Sequence, residues 1–88
     1  MKRARVVVTG RVQGVGFRMA VAERARARGI TGFVGNRLDG AVEATFEGDP
    51  DSVDALVAWC RRGPRGARVD GVTVQVETPK GDGGFRIH

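Results

Sequence analysis

The residues best able to do chemistry in this 88-residue chain lie between Gly10 and Arg18, in the stretch Gly-Arg-Val-Gln-Gly-Val-Gly-Phe-Arg. Gly14 and Gly16 tolerate left-handed backbone conformations, in which successive backbone N–H groups point at one spot. Arg18 adds a planar fork of donors that matches two oxygens of a phosphate. The stretch therefore predicts a small site for a phosphate-like anion.

The same stretch also fits an ordinary glycine-rich connection that ends in a solvated arginine. Its spacing departs from the common nucleotide fingerprints: Met19 stands where the dinucleotide pattern needs glycine, and no Gly-Lys-Ser/Thr follows. Other reactive groups are scarce. The only histidine, His88, stands at the end of the chain, where fraying makes it a poor catalytic base. The only cysteine, Cys60, falls on an apolar helical stripe and is predicted to be a core thiol.

Backbone amides and an arginine stabilise charge and position reactants, but they are poor proton donors. A suitable substrate is therefore a phosphoryl compound whose leaving group needs no general acid. A carboxylate has a pKa of about 4 and leaves as the anion, so an acyl phosphate is the class that this chemistry could serve. No carboxylate, histidine or cysteine cluster has the spacing of a metal site, so the residues themselves predict no metal.

The predicted elements place the loop at the end of a buried strand and at the positive end of a helix, where anions bind. The strand runs from Arg5 to Thr9 and the helix from about Arg18 to Arg28. A second strand, Ile30 to Asn36, leads through an Asp39-Gly40 turn into a third strand.

The third strand, Ala41 to Glu47, alternates, which predicts that Val42, Ala44 and Phe46 face the core and that Glu43, Thr45 and Glu47 face water. Asp49 and Pro50 predict the start of a second helix, which ends near Cys60. A fourth strand within Arg68 to Thr78 alternates through Val72, Val74 and Val76, and a short fifth strand follows at Phe85 to His88.

This order, βαββαβ plus a short C-terminal strand, predicts an α+β fold of the ferredoxin-like, split βαβ type. We expect an antiparallel sheet with two helices on one face, in a single domain that spans residues 1–88.

The charge and the composition of the chain limit the kinds of partner that it can bind. The net charge is +5 and the pI is near 11, but the arginines are spread over several predicted elements, which favours a solvated surface over a nucleic-acid site. The first predicted strand also lacks the aromatic residues on which bases stack in RNA-binding sheets. One cysteine and no signal or membrane segment favour the cytoplasm and no membrane partner. No long exposed apolar stripe demands a protein partner, so we expect a monomer, and we expect no nucleic-acid partner.

Two motifs carry a family resemblance. Residues Gly10 to Arg18 resemble the signature of the acylphosphatase family, and Gly32 to Gly40 match its second motif, glycine–aromatic–valine–x–asparagine–x–x–aspartate–glycine. The similarity continues through Val42-Glu43, Gly48-Asp49, Gly63-Pro64 and Phe85 to Ile87, and so covers nearly the whole chain.

The resemblance implies a ferredoxin-like acylphosphatase that hydrolyses a small-molecule acyl phosphate to a carboxylate and inorganic phosphate, without metal or cofactor. Phosphate or sulfate would bind as product-like ligands. Asn36 would orient the attacking water, and Arg18 would bind the phosphoryl group. The implied binding residues are Gln13, Gly14, Val15, Gly16, Phe17 and Arg18.

Two alternatives stay open. The domain could be a non-catalytic, anion-binding or regulatory relative, and Asn36 could instead bond the Asp39-Gly40 turn, as asparagine often does. One residue departs from the pattern: many members carry a basic residue before this asparagine, where this chain has Gly35.

Overall fold

The computed structural model describes all 88 residues, in five strands and two helices. They are, in chain order, β1 (Lys2–Arg11), α1 (Phe17–Ala27), β2 (Thr31–Asn36), β3 (Val42–Gly48), α2 (Pro50–Cys60), β4 (Arg68–Glu77) and β5 (Phe85–Ile87). The strands form one sheet in the order β4-β1-β3-β2-β5. The predicted βαββαβ order with a short fifth strand is confirmed.

The pairing confirms the ferredoxin-like α+β fold, with one addition. β1 pairs antiparallel with β3 and β4, and β2 pairs antiparallel with β3. β5 lies parallel to β2, with Gly32 opposite Phe85 and Val34 opposite Ile87, so the sheet is mixed rather than wholly antiparallel. This pairing brings the end of the chain beside β2, the strand that carries Asn36.

The core lies between the sheet and the two helices. Val6, Phe46 and Leu56 are at most 1% exposed, which confirms the inward face predicted for β3 and the apolar stripe predicted for α2. α2 begins as expected: Asp49 caps it by accepting a hydrogen bond from the Ser52 N–H at 3.2 Å, and Pro50 occupies the first helical position. Neither α1 nor α2, with eleven residues each, could span a lipid bilayer.

Cys60 is confirmed as a buried thiol, and its burial raises its pKa to about 12. Because the thiolate is the reactive form, we expect the native protein to resist a thiol reagent such as Ellman's reagent at pH 8. The denatured protein should react with one equivalent in seconds to minutes. Rapid labelling of the native protein would contradict this assignment of Cys60 to the core.

The outer face of β3 differs from the prediction, because Thr45 and Glu47 are each 1% exposed. Thr45 lies between its cross-strand neighbours Arg5 and Phe33, whose long side chains stand on the same face. Glu47 is covered by the loop before β5, where the backbone N–H groups of Lys80 and Gly81 donate to its carboxylate at 2.7 and 2.8 Å. The predicted strand is confirmed, but distant parts of the chain cover its polar face.

β4 differs in the opposite sense. The alternation of Val72, Val74 and Val76 is typical of a strand with one covered face, yet Val74 and Val76 are 41% and 68% exposed. β4 pairs only with β1 and forms an edge of the sheet, so no neighbour shields its outer side. Alternation along the strand therefore predicted which side chains share a face of the sheet. It did not predict how far the helices would cover that face.

Candidate active site

The loop between β1 and α1 presents unpaired backbone donors. Gly14 and Gly16 have φ angles of 75° and 77°, in the left-handed region that their lack of a side chain allows. Gly16 is the N-cap of α1, no side chain caps the helix, and its first turn holds no acidic residue. The first helical bond is donated by the Ala20 N–H to the Gly16 carbonyl at 3.1 Å. The preceding amides of the first turn are therefore available to an anion.

Arg18 lies in this first helical turn, where it adds a full positive charge to the partial charge of the helix end. Its guanidinium donates one hydrogen bond, from Nη1 to the backbone oxygen of His88 at 2.9 Å. The neighbouring Phe17 is only 2% exposed and packs against Trp59 at 5.6 Å between ring centroids. This packing against α2 fixes the start of α1 on the core.

Asn36 is the last residue of β2, directly before the turn to β3. The turn is held by other groups: the Ala41 N–H donates to Asp39 Oδ1 at 3.1 Å, and the Gly40 N–H donates to the Arg37 carbonyl at 3.2 Å. The Ala41 N–H is the largest cause that lowers the pKa of Asp39; burial opposes it, and Arg37 lowers the pKa further. Asp39 therefore makes the hydrogen bond to the turn that the alternative interpretation gave to Asn36. The side-chain amide of Asn36 makes no hydrogen bond within the protein.

Gln13 ties the loop to this turn. Its side-chain amide nitrogen donates to the carbonyls of Arg37 and Ala41, at 2.8 and 3.0 Å. The two motifs are thus joined through one side chain, between residues that lie 24 and 28 positions apart in the sequence. This contact fixes the distance between the free amides of the loop and Asn36.

A cleft of about 160 Å³ lies between the loop, the start of α1 and the ends of β2 and β5. It brings together five of the residues singled out from the sequence: Gly14, Gly16, Phe17, Arg18 and Asn36. Gln13 and Val15 belong to the same loop but do not line the cleft. Three lining residues were missed, and they are Val12, Met19 and Ile87. Met19, which is 58% exposed, follows Arg18 directly, and only this adjacency could have drawn attention to it.

His88 differs from the expectation of a frayed end. Its backbone N–H donates to the Val34 carbonyl at 2.8 Å, and its imidazole stacks on the Phe33 ring with 4.6 Å between centroids and 7° between planes. Together with the bond from Arg18, these contacts place His88 beside the cleft. The sequence carried no signal for this, because the partners are distant along the chain.

Comparison with known proteins agrees with this geometry. A family model for acylphosphatase matches residues 4–87. An acylphosphatase of Anaeromyxobacter dehalogenans (strain 2CP-C) is 55% identical over 86 residues, which are 97% of this chain and 92% of that protein. The crystal structure of acylphosphatase from Bacillus subtilis superposes with a TM-score of 0.96 at 36% identity and covers 100% of this chain and 99% of that one.

The same fold also occurs within a larger protein. The crystal structure of HypF from T. kodakarensis matches 99% of this chain with a TM-score of 0.81 at 33% identity, and the match covers 12% of that protein. The relatives of similar length, however, carry the acylphosphatase name over nearly their whole chains. The two sequence motifs, the fold and the family match agree, and the chain belongs to the acylphosphatase family, whose reaction is the hydrolysis of acyl phosphates.

Proposed function

We propose that the cleft holds the phosphoryl group of a small acyl phosphate against the loop amides and Arg18, while Asn36 orients the attacking water. The observation that supports this most directly is that one cleft collects a loop with free amides, an arginine and an unpaired asparagine amide. The amides and the guanidinium converge on one anion. The asparagine carbonyl is a neutral acceptor suited to water.

The step balances without a side-chain acid or base. The water oxygen attacks phosphorus, the bond from phosphorus to the acyl oxygen breaks, and the carboxylate leaves with the electron pair. A phosphoryl oxygen accepts the proton that the water loses, so the second product is inorganic phosphate. Because the carboxylate is a weak base, no group has to protonate it. Preorganised N–H donors that face the developing negative charge are the main source of acceleration.

These donors need no cation to complete them, and we propose that turnover is independent of metal. We also propose that the protein acts as a cytoplasmic monomer without a nucleic-acid or membrane partner. Its small size and its scattered arginines support this. Phosphate and sulfate, which share the geometry of the phosphoryl group, should compete with substrate for the loop.

The test is hydrolysis of benzoyl phosphate in the presence of EDTA, by the wild type and by Asn36→Ala. We expect rapid hydrolysis by the wild type, and in the variant a kcat about 10²–10³ lower with little change in KM, because the amide acts on the water and not on the bound phosphoryl group. Asn36→Asp keeps the size of the side chain and serves as the matched variant. It should also be slow, because its charge repels the phosphoryl oxygens.

Three results would contradict the proposal. Competition by phosphate without any turnover would mean that the chain keeps the anion site but is a non-catalytic relative. Unchanged kcat in Asn36→Ala would remove the asparagine from the mechanism. Loss of activity in EDTA that is restored by added Mg²⁺ would overturn the metal independence.

A further inference from the structure

The orientation of Arg18 depends on a contact seventy residues away in the sequence. Its Nη1 donates to the backbone oxygen of His88 at 2.9 Å. A guanidinium has five N–H donors, so this bond uses one and leaves the others for a phosphoryl group. A long side chain on the first turn of a helix otherwise samples several rotamers. The His88 oxygen therefore holds the guanidinium in one of them.

His88 is itself held by two contacts on β2. Its N–H donates to the Val34 carbonyl at 2.8 Å, and its ring lies nearly parallel to that of Phe33, 7° between planes at 4.6 Å. Phe33 lies three residues before Asn36 on the same strand. The ring stack thus ties the arginine on α1 to the strand that carries the asparagine.

Gly35 supplies the space for this arrangement. A Cβ at this position would lie 3.0 Å from the Cβ of His88, closer than side-chain carbons normally approach. Unlike Gly14 and Gly16, Gly35 has no positive φ angle, so the backbone does not require glycine there. The glycine stands where the family resemblance leads one to expect a basic residue. In this chain the same space is taken by His88.

We propose that His88, stacked on Phe33 and accommodated by Gly35, is a positioning residue that sets the orientation of Arg18. The proposal rests on the proposed function of Arg18 in binding the phosphoryl group. The imidazole touches neither substrate nor water in this scheme. It acts by keeping the backbone oxygen of its own residue at the guanidinium, and any flat aromatic side chain that stacks on Phe33 can replace it.

The test compares His88→Ala, His88→Phe and Thr73→Ala in benzoyl phosphate hydrolysis. His88→Ala keeps the backbone oxygen but loses the stack, and a displaced arginine should lower kcat/KM about 10-fold to 100-fold, mainly through KM, with a parallel rise in the inhibition constant for phosphate. His88→Phe should restore both values to within about threefold of the wild type. Thr73→Ala, an exposed and uncharged change on β4 at the other edge of the sheet, is the control and should leave them unchanged.

A double-mutant cycle separates positioning from a purely structural effect. If His88 acts through Arg18, then His88→Ala should have no further effect in the Arg18→Ala background. Equal losses in both backgrounds, or a loss that His88→Phe does not rescue, would overturn the proposal. So would unchanged kinetics in His88→Ala. If Arg18→Ala itself were fully active, the proposed function would fail instead, so the two failures are distinguishable.

Gly35→Val gives an independent measurement of the same contact. Its side chain should displace His88 and raise KM for benzoyl phosphate, while the protein stays folded by circular dichroism. Truncating the ring relieves the crowding, so Gly35→Val and His88→Ala together should be less harmful than the sum of the two single changes. Additive losses would show that Gly35 acts through something other than His88, and would contradict this part of the proposal.

Discussion

Arg18→Ala is expected to lower kcat/KM for benzoyl phosphate by about 10³, the largest loss that any single change in the cleft should produce. The residue carries the only full positive charge among those that line the cleft. It contacts the phosphoryl group both in the bound substrate and in the transition state, so both KM and kcat should worsen. Steady-state hydrolysis, with phosphate as competing inhibitor, measures both effects.

Arg18→Lys should recover only part of the loss. Lysine keeps the charge but not the planar fork, and the three donors of its compact ammonium do not reproduce the bidentate geometry that a guanidinium offers to two phosphoryl oxygens while it bonds the His88 oxygen. The control is Arg28→Ala, which removes the same charge at the far end of α1. An equal loss in Arg28→Ala would show that net charge attracts the substrate and that the cleft has no special arginine. In that case raising the ionic strength should weaken the wild type to the same degree.

The local parts of the site could be predicted because their signals are local. Glycines followed by an arginine, between an apolar run and an amphipathic helix, define the loop, the helix start and the free amides within nine residues. Asn36 is different, since its residue type alone favoured a turn, and only the second motif of the family singled it out. The structure supplies the physical reason that was missing, because Asp39 already bonds the turn.

The long-range parts could not be predicted in this way. The bond from Gln13 to the turn and the contact of Arg18 with His88 join segments that the sequence separates by more than twenty and by seventy residues. Nothing in the periodicity of either segment shows that β5 pairs with β2, and that pairing is what brings His88 to the cleft. Burial of the polar face of β3 was missed for the same reason.

Arg3 shows this limit most clearly, because the spread of the arginines along the chain favours a solvated surface and yet Arg3 is only 4% exposed. It donates to Glu47 at 3.2 Å, to Glu77 at 3.1 Å and to Asp82 at 3.1 Å. These carboxylates come from β3, from β4 and from the loop before β5. One guanidinium therefore joins both halves of the sheet to the loop that covers its outer face.

Arg3→Met is expected to lower the melting temperature by on the order of 10 °C, because it leaves the buried carboxylate of Glu47 without its cation. Activity at 25 °C should persist, since the network lies at the start of β1, roughly 25 Å of strand away from the loop that follows Arg11. Thermal unfolding by circular dichroism, with benzoyl phosphate hydrolysis as second readout, checks both statements. An unchanged melting temperature would show that the network adds nothing to stability.

The same network should make stability depend on acid. The Lys80 N–H lowers the pKa of Glu47 most; burial opposes it, and the Gly81 N–H and Arg3 lower it further, below the ordinary value of 4.5. A carboxylate whose folded pKa is lowered stabilises the protein above its unfolded pKa, and this contribution is lost as pH falls through the folded value. The melting temperature of the wild type should therefore fall steeply below pH 4.5.

Glu47→Gln should be less stable than the wild type at pH 7, and its melting temperature should fall less steeply in acid. Glu23→Gln, an equal charge change on the exposed face of α1, is the control and should follow the wild type. Parallel curves for Glu47→Gln and the wild type would mean that other carboxylates carry the acid sensitivity.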